Sequence, residues 1–409
     1  MAKLSKEIKV VSINLGNVGS TGKIAESIKK IGDRYGIEVY TAYPPSDANN
    51  PIKKKDIIIG NKIGRHRSYQ FAYYTGLNGC FSVFSTLNFL RKIEKIKPNI
   101  IHLHNLHHTY INLPMLFSYI KKKQISTIWT LHDCWAFTGQ CPYFTISSCD
   151  KWKSGCFNCP NYREYPESRV DTTKLMWKLK KKWFNGVNNM IIVTPSVWLA
   201  DLVKNSFLKN YPVQVINNGI DVGVFRRIKS DFRIKYGISE NKCIILGVSY
   251  NWDKRKGLDV FLALNERLNK EKYQIVLVGT DKLTDKLLPS DIISIHRTKN
   301  QEELAKIYSS SNIFVNPTRE DNFPTVNIEA LSCGVPVITF NTGGSPESIT
   351  NKCGRVVDVD DINELTNEIK TIFESKIFSI KDCIEQSKKF SDQEKFKEYI
   401  DLYKSIIMK

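Results

Sequence analysis

Short runs of β-branched and other apolar residues alternate with amphipathic stretches along the whole chain, and this alternation restricts the fold more than any other feature. Strands that are separated by helix-length segments return to the same end of a sheet and pair in parallel. The pattern predicts an α/β protein with two doubly wound, Rossmann-like domains. The predicted strands are Lys9–Leu15, Ile37–Ala42, Ile100–His104, Thr127–Leu131, Met190–Thr194, Cys243–Val248, Gln274–Val278, Ile292–Ile295, Ile313–Asn316 and Val335–Phe340.

The first five strands are separated from the last five by a glycine-bearing turn and the charged stretch Arg226–Tyr236. This predicts one domain at residues 1–220, a second at 221–390, and a helix at 391–409 that packs back on the first domain. With 409 residues, of which 42% are apolar, the chain is long enough for two cores.

The sequence predicts no membrane-spanning helix, because it contains no run of about 18 apolar residues. The apolar run in the N-terminal segment MAKLSKEIKVVSINLG is short and is predicted to be the first strand rather than a signal peptide. We therefore expect a cytoplasmic protein with reduced thiols, with peripheral contact to the inner face of the membrane as a further expectation.

Positive charge is concentrated in the first half of the chain. Residues 1–190 contain 29 Lys and Arg against 12 Asp and Glu, whereas the other 219 residues contain 31 against 29. The basic half is either a plain solvated surface or a face for an anionic membrane surface. The second is favoured by the basic segment 174–184, whose Trp177 and Trp183 are typical of a helix at a lipid interface. Nucleic acid is not an expected partner, because no zinc-finger, RRM or helix-turn-helix pattern occurs.

A glycine-rich segment, GNVGSTG at residues 16–22, follows the first predicted strand and leads into a helix. Gly19 and the first amides of that helix are candidates for contact with a phosphate group. The spacing differs from the dinucleotide-binding fingerprint, and a turn that serves only the fold is the alternative.

Five histidines are concentrated between residues 102 and 132. His132 ends a predicted strand, where open α/β sheets bind their ligands, and it is a candidate site residue. His102, His107 and His108 are expected to be hydrogen-bonded structural residues.

The loop at residues 134–160 is rich in Gly, Pro, Asn and aromatic residues and carries cysteines with the spacing C-x7-C-x6-C-x2-C. Four thiolates around Zn²⁺ would order a polar loop that cannot bury a core of its own. Free or redox-active thiols and a disulfide are the alternatives, and Cys134 is a substitute ligand. The predicted ligands of this structural zinc are Cys141, Cys149, Cys156 and Cys159.

Acidic, basic and glycine residues follow three strands of the second half, in a combination that suits a nucleotide-activated sugar. Carboxylates accept hydrogen bonds from ribose and sugar hydroxyls, whereas cations and main-chain amides bind a diphosphate. A solvated charge run is the alternative for the basic segment. The candidate residues are Arg255, Lys256, Glu320, Asp321, Glu329, Gly343, Gly344 and Ser345.

With these motifs the chain resembles the family 4 glycosyltransferases of the GT-B fold, which retain the anomeric configuration and use nucleotide sugars. The HDCWAFTG run further resembles the branch that builds capsule, exopolysaccharide or O-antigen. The resemblance implies two Rossmann-like domains facing across a cleft, with acceptor binding in the first and nucleotide-sugar binding in the second. It is carried by Gly19–Lys23, Thr130–Cys141, the Lys256–Gly257 pair, Glu329–Ile338 and Thr342–Glu347.

The resemblance also implies roles for individual residues. Glu329 would hold the ribose hydroxyls, His132 would lie beside the reacting sugar, and an earlier acid would touch the donor sugar. Asp321 is separated from Glu329 by seven residues, as in the family, whereas Glu320 is separated by eight, so either is a candidate for that acid. Cations and amides would stabilise the leaving diphosphate, so no catalytic metal is expected.

The implied substrates are a nucleotide-diphosphate sugar as donor and a glycan or lipid-linked acceptor. A nucleotide-sugar epimerase on the same fold and a non-catalytic sugar- or lipid-binding protein are the alternatives. An epimerase would need no acceptor, and the presence of both Lys256 and Glu329 argues against a non-catalytic protein.

Overall fold

The computed structural model describes residues 8–408, so the segment 1–7 that enters the signal-peptide argument lies outside the described residues. The chain divides into two compact units. The first extends through Asn217 and includes the chain from Lys395 onward, and the second is Asn218–Glu394. The first unit therefore ends three residues before the predicted boundary at residue 220.

The described residues of the first unit form a seven-stranded parallel sheet with the order β3-β2-β1-β4-β5-β6-β7. Its strands are β1 (Ile8–Ile13), β2 (Ile37–Tyr43), β3 (Asp56–Ile58), β4 (Ile100–Leu103), β5 (Ser126–Thr130), β6 (Met190–Thr194) and β7 (Val213–Val215). Its helices are α1 (Gly19–Arg34), α2 (Lys62–Thr75), α3 (Val83–Ile96), α4 (Leu113–Lys123), α5 (Thr173–Phe184) and α6 (Val197–Lys204), with 3₁₀ turns at Trp135–Phe137 and Lys151–Lys153.

The described residues of the second unit form a six-stranded parallel sheet with the order β10-β9-β8-β11-β12-β13. Its strands are β8 (Cys243–Val248), β9 (Tyr273–Val278), β10 (Ile293–Ile295), β11 (Ile313–Asn316), β12 (Val337–Phe340) and β13 (Gly354–Val357). The helices from here to the end are α7 (Phe232–Lys235), α8 (Leu258–Arg267), α9 (Lys282–Asp285), α10 (Gln301–Ser310), α11 (Thr325–Ser332), α12 (Ile362–Ser375), α13 (Ile380–Lys388) and α14 (Asp392–Ile407), with 3₁₀ turns at Lys254–Lys256 and Pro346–Ser348.

Helices cover both faces of each sheet, which is why the central strands are apolar on both sides rather than alternating. Successive residues Val10 and Val11 of β1 are both fully buried. The C-terminal part of α14 completes this cover in the first unit, where Tyr399 and Tyr403 join the core cluster that contains Val10 and Ile100.

Helix α5, the segment predicted to lie at a lipid interface, packs into the first unit instead. Its residues at helical spacing, Met176, Trp177, Lys180 and Phe184, are all buried. Lys180 reaches inward, with its Nζ 3.7 Å from the centroid of the Trp135 ring and hydrogen-bonded to the Trp135 carbonyl. The interfacial prediction for residues 174–184 was therefore wrong, because the apolar stripe of this helix is part of the core.

The described residues contain no helix that is both long and apolar enough to cross a membrane.

Candidate active site

The predicted cations and one predicted acid of the second unit lie together at a topological switch point. The sheet order reverses between β8 and β11, whose connections leave on opposite sides, and open α/β sheets bind ligands outside the carboxyl ends of such strands. Lys256 follows β8 and Asp321 follows β11. The Lys256 Nζ lies 2.6 Å from the Asp321 Oδ2, and each side chain is 19% exposed.

The turn that carries Lys256 is fixed by its neighbours. The Asp253 carboxylate accepts a hydrogen bond from the Lys256 amide at 2.9 Å and so caps the 3₁₀ turn. Gly257 has φ of 74°, and a Cβ there would lie 2.5 Å from the Pro317 carbonyl oxygen. A glycine is therefore required where the loop after β8 passes the loop after β11.

Arg319, which the sequence analysis did not identify, joins the same two loops. Its guanidinium binds the Asp259 carboxylate through two hydrogen bonds of 2.9 and 2.7 Å. Its Nε donates to Asp360 at 2.9 Å, and its amide donates to the Arg255 carbonyl at 2.8 Å. The side chain is 9% exposed, and the hydrogen bonds to Asp259 raise the pKa of Arg319. Arg319 thus holds the cationic turn, Lys254–Lys256, beside the acidic loop that carries Glu320 and Asp321.

We expect Arg319→Lys to destabilise the second unit by about 1–3 kcal/mol, because lysine keeps the charge but cannot form the two-pronged hydrogen bonds. Chemical unfolding followed by circular dichroism would measure the loss. Arg297→Lys, at an exposed arginine of the same unit, is the matched control and should change stability little. Equal stability of the Arg319 variant and the control would show that the hydrogen bonds of Arg319 to Asp259 and Asp360 do not stabilise the unit.

The two candidate acids occupy different environments. The Asp321 side chain meets Lys256, and its Oδ1 accepts a hydrogen bond from the Asn322 amide at 2.9 Å. Glu320 is 7% exposed, and its main-chain carbonyl accepts from the Arg255 Nη1 at 3.1 Å. Arg255 therefore contacts the backbone of the acidic loop.

Glu329 lies on α11, four residues after Thr325 starts the helix. Its Oε2 accepts a hydrogen bond from the Tyr308 hydroxyl at 3.3 Å, and burial raises the pKa of Tyr308. Tyr308 is fully buried, so it supports the Glu329 carboxylate from the interior of the unit.

The Gly343–Gly344 turn lies against the acidic loop. Gly343 has φ of 56°, and a Cβ there would lie 1.8 Å from the Asp321 carbonyl oxygen, so no other residue fits. The turn is thus in direct contact with the loop after β11. Gly344 is the next residue of this turn.

Ser345 does not offer its polar groups to a ligand, contrary to the prediction from the sequence. Its amide donates to the Thr342 carbonyl at 3.2 Å. Its hydroxyl hydrogen-bonds with the Thr339 hydroxyl at 2.6 Å and accepts from the Asn327 side-chain amide at 3.0 Å. The residue is fully buried and braces the turn from inside.

In the first unit the sheet order reverses between β1 and β4. Gly19 opens α1 after β1, with φ of 71°, and it is exposed. His104 follows β4 and His132 follows β5. The His104 Nδ1 lies 3.0 Å from the His132 Nε2, with the two rings stacked at a centroid distance of 5.3 Å.

Burial and hydrogen bonding together indicate the charge and the tautomer of the pair His104–His132. Burial lowers the pKa of His132 to about 4 and that of His104 well below its usual range, so both are neutral at pH 7. The His104 Nε2 is buried, and no residue in 8–408 hydrogen-bonds to it. A buried N–H without a partner is disfavoured more strongly than a bare acceptor, so the favoured tautomer has the His104 proton on Nδ1, donating to His132. His132 then carries its own proton on Nδ1.

His102 and His107 are hydrogen-bonded, as expected for structural histidines. His102 bridges the Tyr403 hydroxyl at 2.7 Å and the Thr130 hydroxyl at 2.8 Å. His107 lies 3.3 Å from an Asp133 oxygen and 2.8 Å from the Tyr165 hydroxyl. The role of Tyr403 was not visible in the sequence, because it is 301 residues from its partner His102.

We expect the buried histidines to make the first unit less stable as the pH falls from 6.5 towards 4. Burial lowers the pKa of His102 to about 3, so the unfolded chain binds protons in this window and the folded chain does not. Each such histidine contributes at most about 1.4 kcal/mol per pH unit. Thermal unfolding at pH 7, 6 and 5 should show a shallower decline for His102→Asn than for the exposed-site control His66→Asn. Parallel declines would contradict this assignment.

The cysteine-rich loop is ordered by an apolar core, which contradicts the premise of the zinc prediction. Trp152 is 2% exposed and packs against the rings of Phe137 and Phe144 at 5.2 and 5.1 Å. None of the cysteines among residues 8–408 forms a disulfide. A hydrogen bond from the Cys141 thiol lowers the pKa of Cys159 to about 7. Among residues 8–408 no three His, Cys, Asp or Glu side chains are grouped to hold a metal ion, so the side-chain positions give the zinc prediction no support. Structural zinc stays a prediction, which metal analysis of the purified protein would test.

The comparisons with known proteins agree with this architecture. A family model described as "Glycosyltransferase Family 4" matches residues 33–224, and one described as "Glycosyl transferases group 1" matches residues 229–392. A putative colanic acid biosynthesis glycosyl transferase of Escherichia coli K12, WcaC, is 23% identical over 76% of this chain and 77% of its own length.

Two solved structures illustrate the fold. Sucrose-phosphate synthase of Thermosynechococcus elongatus superposes with a TM-score of 0.73 at 17% identity, over 98% of this chain and 100% of that one. Anabaena HepE in complex with UDP superposes with a TM-score of 0.65 at 13% identity, over 98% of this chain and 100% of that one. With family models on both units and the GT-B fold in its structural neighbours, the chain belongs to the family 4 glycosyltransferases.

Proposed function

We propose that this glycosyltransferase moves a sugar from a nucleotide-diphosphate sugar to a glycan or lipid-linked acceptor in surface polysaccharide biosynthesis, with retention of configuration and without a metal. The observation that carries the proposal is the Lys256–Asp321 pair at the β8/β11 switch point, whose charged atoms are 2.6 Å apart. In the proposal this cation binds the diphosphate and this carboxylate accepts from the hydroxyls of the same donor.

In this proposal the second unit binds the donor. Lys256 and Arg255 bind the diphosphate, the Gly343 and Gly344 amides add hydrogen bonds, and Glu329 accepts from the ribose hydroxyls. Asp321 meets the donor sugar, since it is the acid whose carboxylate already faces Lys256. Glu320 supports the loop through its backbone.

The first unit provides the acceptor side. Gly19, at the start of α1, offers main-chain donors to a phosphate group. His132 offers its Nδ1–H to a sugar hydroxyl as a neutral hydrogen-bond donor, because its Nε2 accepts from His104 in the favoured tautomer. A donor of this kind positions the sugar and does not act as a base.

The transfer itself needs no protein nucleophile. The bond between the anomeric carbon and the diphosphate oxygen breaks as positive charge develops on the sugar ring. The acceptor hydroxyl attacks from the same face, and its proton passes to an oxygen of the departing diphosphate. The chain contributes positioning and charge stabilisation, chiefly through Lys256 on the leaving group.

The relatives support this proposal at a coarser level. WcaC is named as a transferase of colanic acid biosynthesis, and the Anabaena neighbour was solved with UDP. These proteins give no support to an epimerase. In this proposal the protein works in the cytoplasm, where thiols stay reduced.

Acceptor-dependent release of nucleoside diphosphate tests the proposal. Purified protein would be incubated with a panel of nucleotide sugars, with and without a membrane extract that contains lipid-linked glycans, in the presence of EDTA. We expect nucleotide release that requires the acceptor, and a product whose NMR coupling constants retain the donor configuration. Isomerised nucleotide sugar without acceptor would establish the epimerase, and full inhibition by EDTA would refute metal independence.

A further inference from the structure

Helix α2 exposes its large apolar residues and buries small ones, the reverse of an ordinary amphipathic helix. Its buried residues are Ser68 and Ala72. Ile63, Phe71 and Tyr74, spaced for one helical face, are 68%, 58% and 56% exposed. A soluble domain has no packing reason to place this stripe in water.

The start of α3 also exposes large apolar residues. Phe84 is 82% exposed, and Val83 and Leu87 beside it are 43% and 38% exposed. The connection between the helices touches α2, since the rings of Phe71 and Phe81 are 5.5 Å apart. We call the exposed apolar residues of both helices the α2–α3 surface; they are Ile63, Phe71, Tyr74, Val83, Phe84 and Leu87.

Positive charge borders the α2–α3 surface. A groove of about 490 Å³ beside α3 is lined by Phe84 together with Arg91, Lys92 and Lys95. These three cations are exposed, and Arg67 is exposed on α2. The acidic residue of the two helices, Glu94, pairs with Lys123 at 2.9 Å. Aromatic side chains at the edge of a cationic groove match a bilayer interface, where rings enter the headgroup layer and cations meet lipid phosphates.

We propose that the α2–α3 surface docks the protein on an anionic lipid bilayer. This deepens the proposed function and rests on it for the lipid-linked acceptor, which the docked first unit would meet at the membrane. The surface replaces α5, whose Trp177 is buried in the core.

Co-sedimentation with vesicles tests the inference. The full chain should bind phosphatidylglycerol-containing vesicles more tightly than pure phosphatidylcholine ones, and binding should weaken from low to high salt. Arg91→Glu, Lys92→Glu and Lys95→Glu combined should lower the affinity by at least about 10²-fold. Phe71→Ser with Phe84→Ser should lower it about 10-fold at any salt concentration.

Matched controls come from exposed positions of the second unit. Lys352→Glu, Lys370→Glu and Lys381→Glu combined change the net charge equally, and Ile234→Ser with Tyr250→Ser removes two side chains that are 83% and 82% exposed. Both controls should bind vesicles as the wild type does. Equal losses in variant and control, or equal binding to neutral and anionic vesicles, would overturn the inference.

Sedimentation velocity and nucleotide-sugar binding distinguish lipid docking from self-association and from a change at the donor site. If Phe71→Ser with Phe84→Ser abolishes self-association and leaves vesicle binding intact, the surface joins copies of the chain and the lipid proposal fails. Stabilisation by nucleotide sugars should be the same in all these variants. If the wild type binds vesicles but no nucleotide sugar, the docking surface stands and the proposed function falls.

Discussion

Replacing Lys256 with alanine should lower turnover by about 10²-fold or more while the second unit stays folded. The Lys256 ammonium is the cation placed closest to the predicted sugar-binding acid, 2.6 Å from the Asp321 carboxylate. Because the charge on the diphosphate grows as the sugar departs, a fixed cation there stabilises the transition state more than the bound donor. The loss should therefore appear in kcat as well as in kcat/KM.

Lys254→Ala is the matched control, since it removes a lysine from the same 3₁₀ turn whose side chain is exposed. It should keep near-normal turnover. Lys256→Arg should recover part of the activity, because it restores charge with a different shape. Initial rates of nucleoside diphosphate release, with circular dichroism to confirm folding, would measure all three. Near-normal turnover of Lys256→Ala would mean that the donor site is elsewhere.

The two sheets show which strands can be predicted from the pattern of apolar residues alone. The ten strands predicted from apolar runs are all present, and within residues 8–408 the strands that were not predicted are β3, β7 and β13. Each is the last strand at one end of its sheet and has three or four residues. An edge strand pairs on one side and is partly exposed, so it needs no long apolar run and leaves little signal in the sequence.

The positions of candidate residues could be predicted where a motif fixes local geometry, as at Lys256 and Gly343, and their roles in binding stay predictions. Arg319 was missed because its partners Asp259 and Asp360 are distant in sequence, and an arginine in a loop has no pattern of its own. The prediction that α5 lies at a lipid interface was wrong for a related reason. The composition of α5 matches an interfacial helix, but composition does not tell which stripe faces the core, and Trp177 lies on the buried one.

The second large effect concerns the two neighbouring acids, of which we expect Asp321 rather than Glu320 to meet the sugar. The carboxylate of Asp321 lies beside Lys256, whereas Glu320 is 7% exposed and supports the loop through its carbonyl. We expect Asp321→Asn to lose about 10²-fold or more in turnover and Glu320→Gln to lose less than about tenfold, because the first removes a charge-assisted contact at the reacting sugar. Glu329→Gln should also lose about 10²-fold.

The nucleoside diphosphate alone distinguishes these roles, because it carries the ribose and both phosphates but not the sugar. Glu329→Gln should lose most of the thermal stabilisation that the nucleoside diphosphate confers, whereas Asp321→Asn should keep it, since its partner is absent from that ligand. A larger turnover loss for Glu320→Gln than for Asp321→Asn would assign the sugar contact to Glu320. In that case Asp321 would serve to orient Lys256, and nucleoside diphosphate binding would weaken in Asp321→Asn as it does in Lys256→Ala.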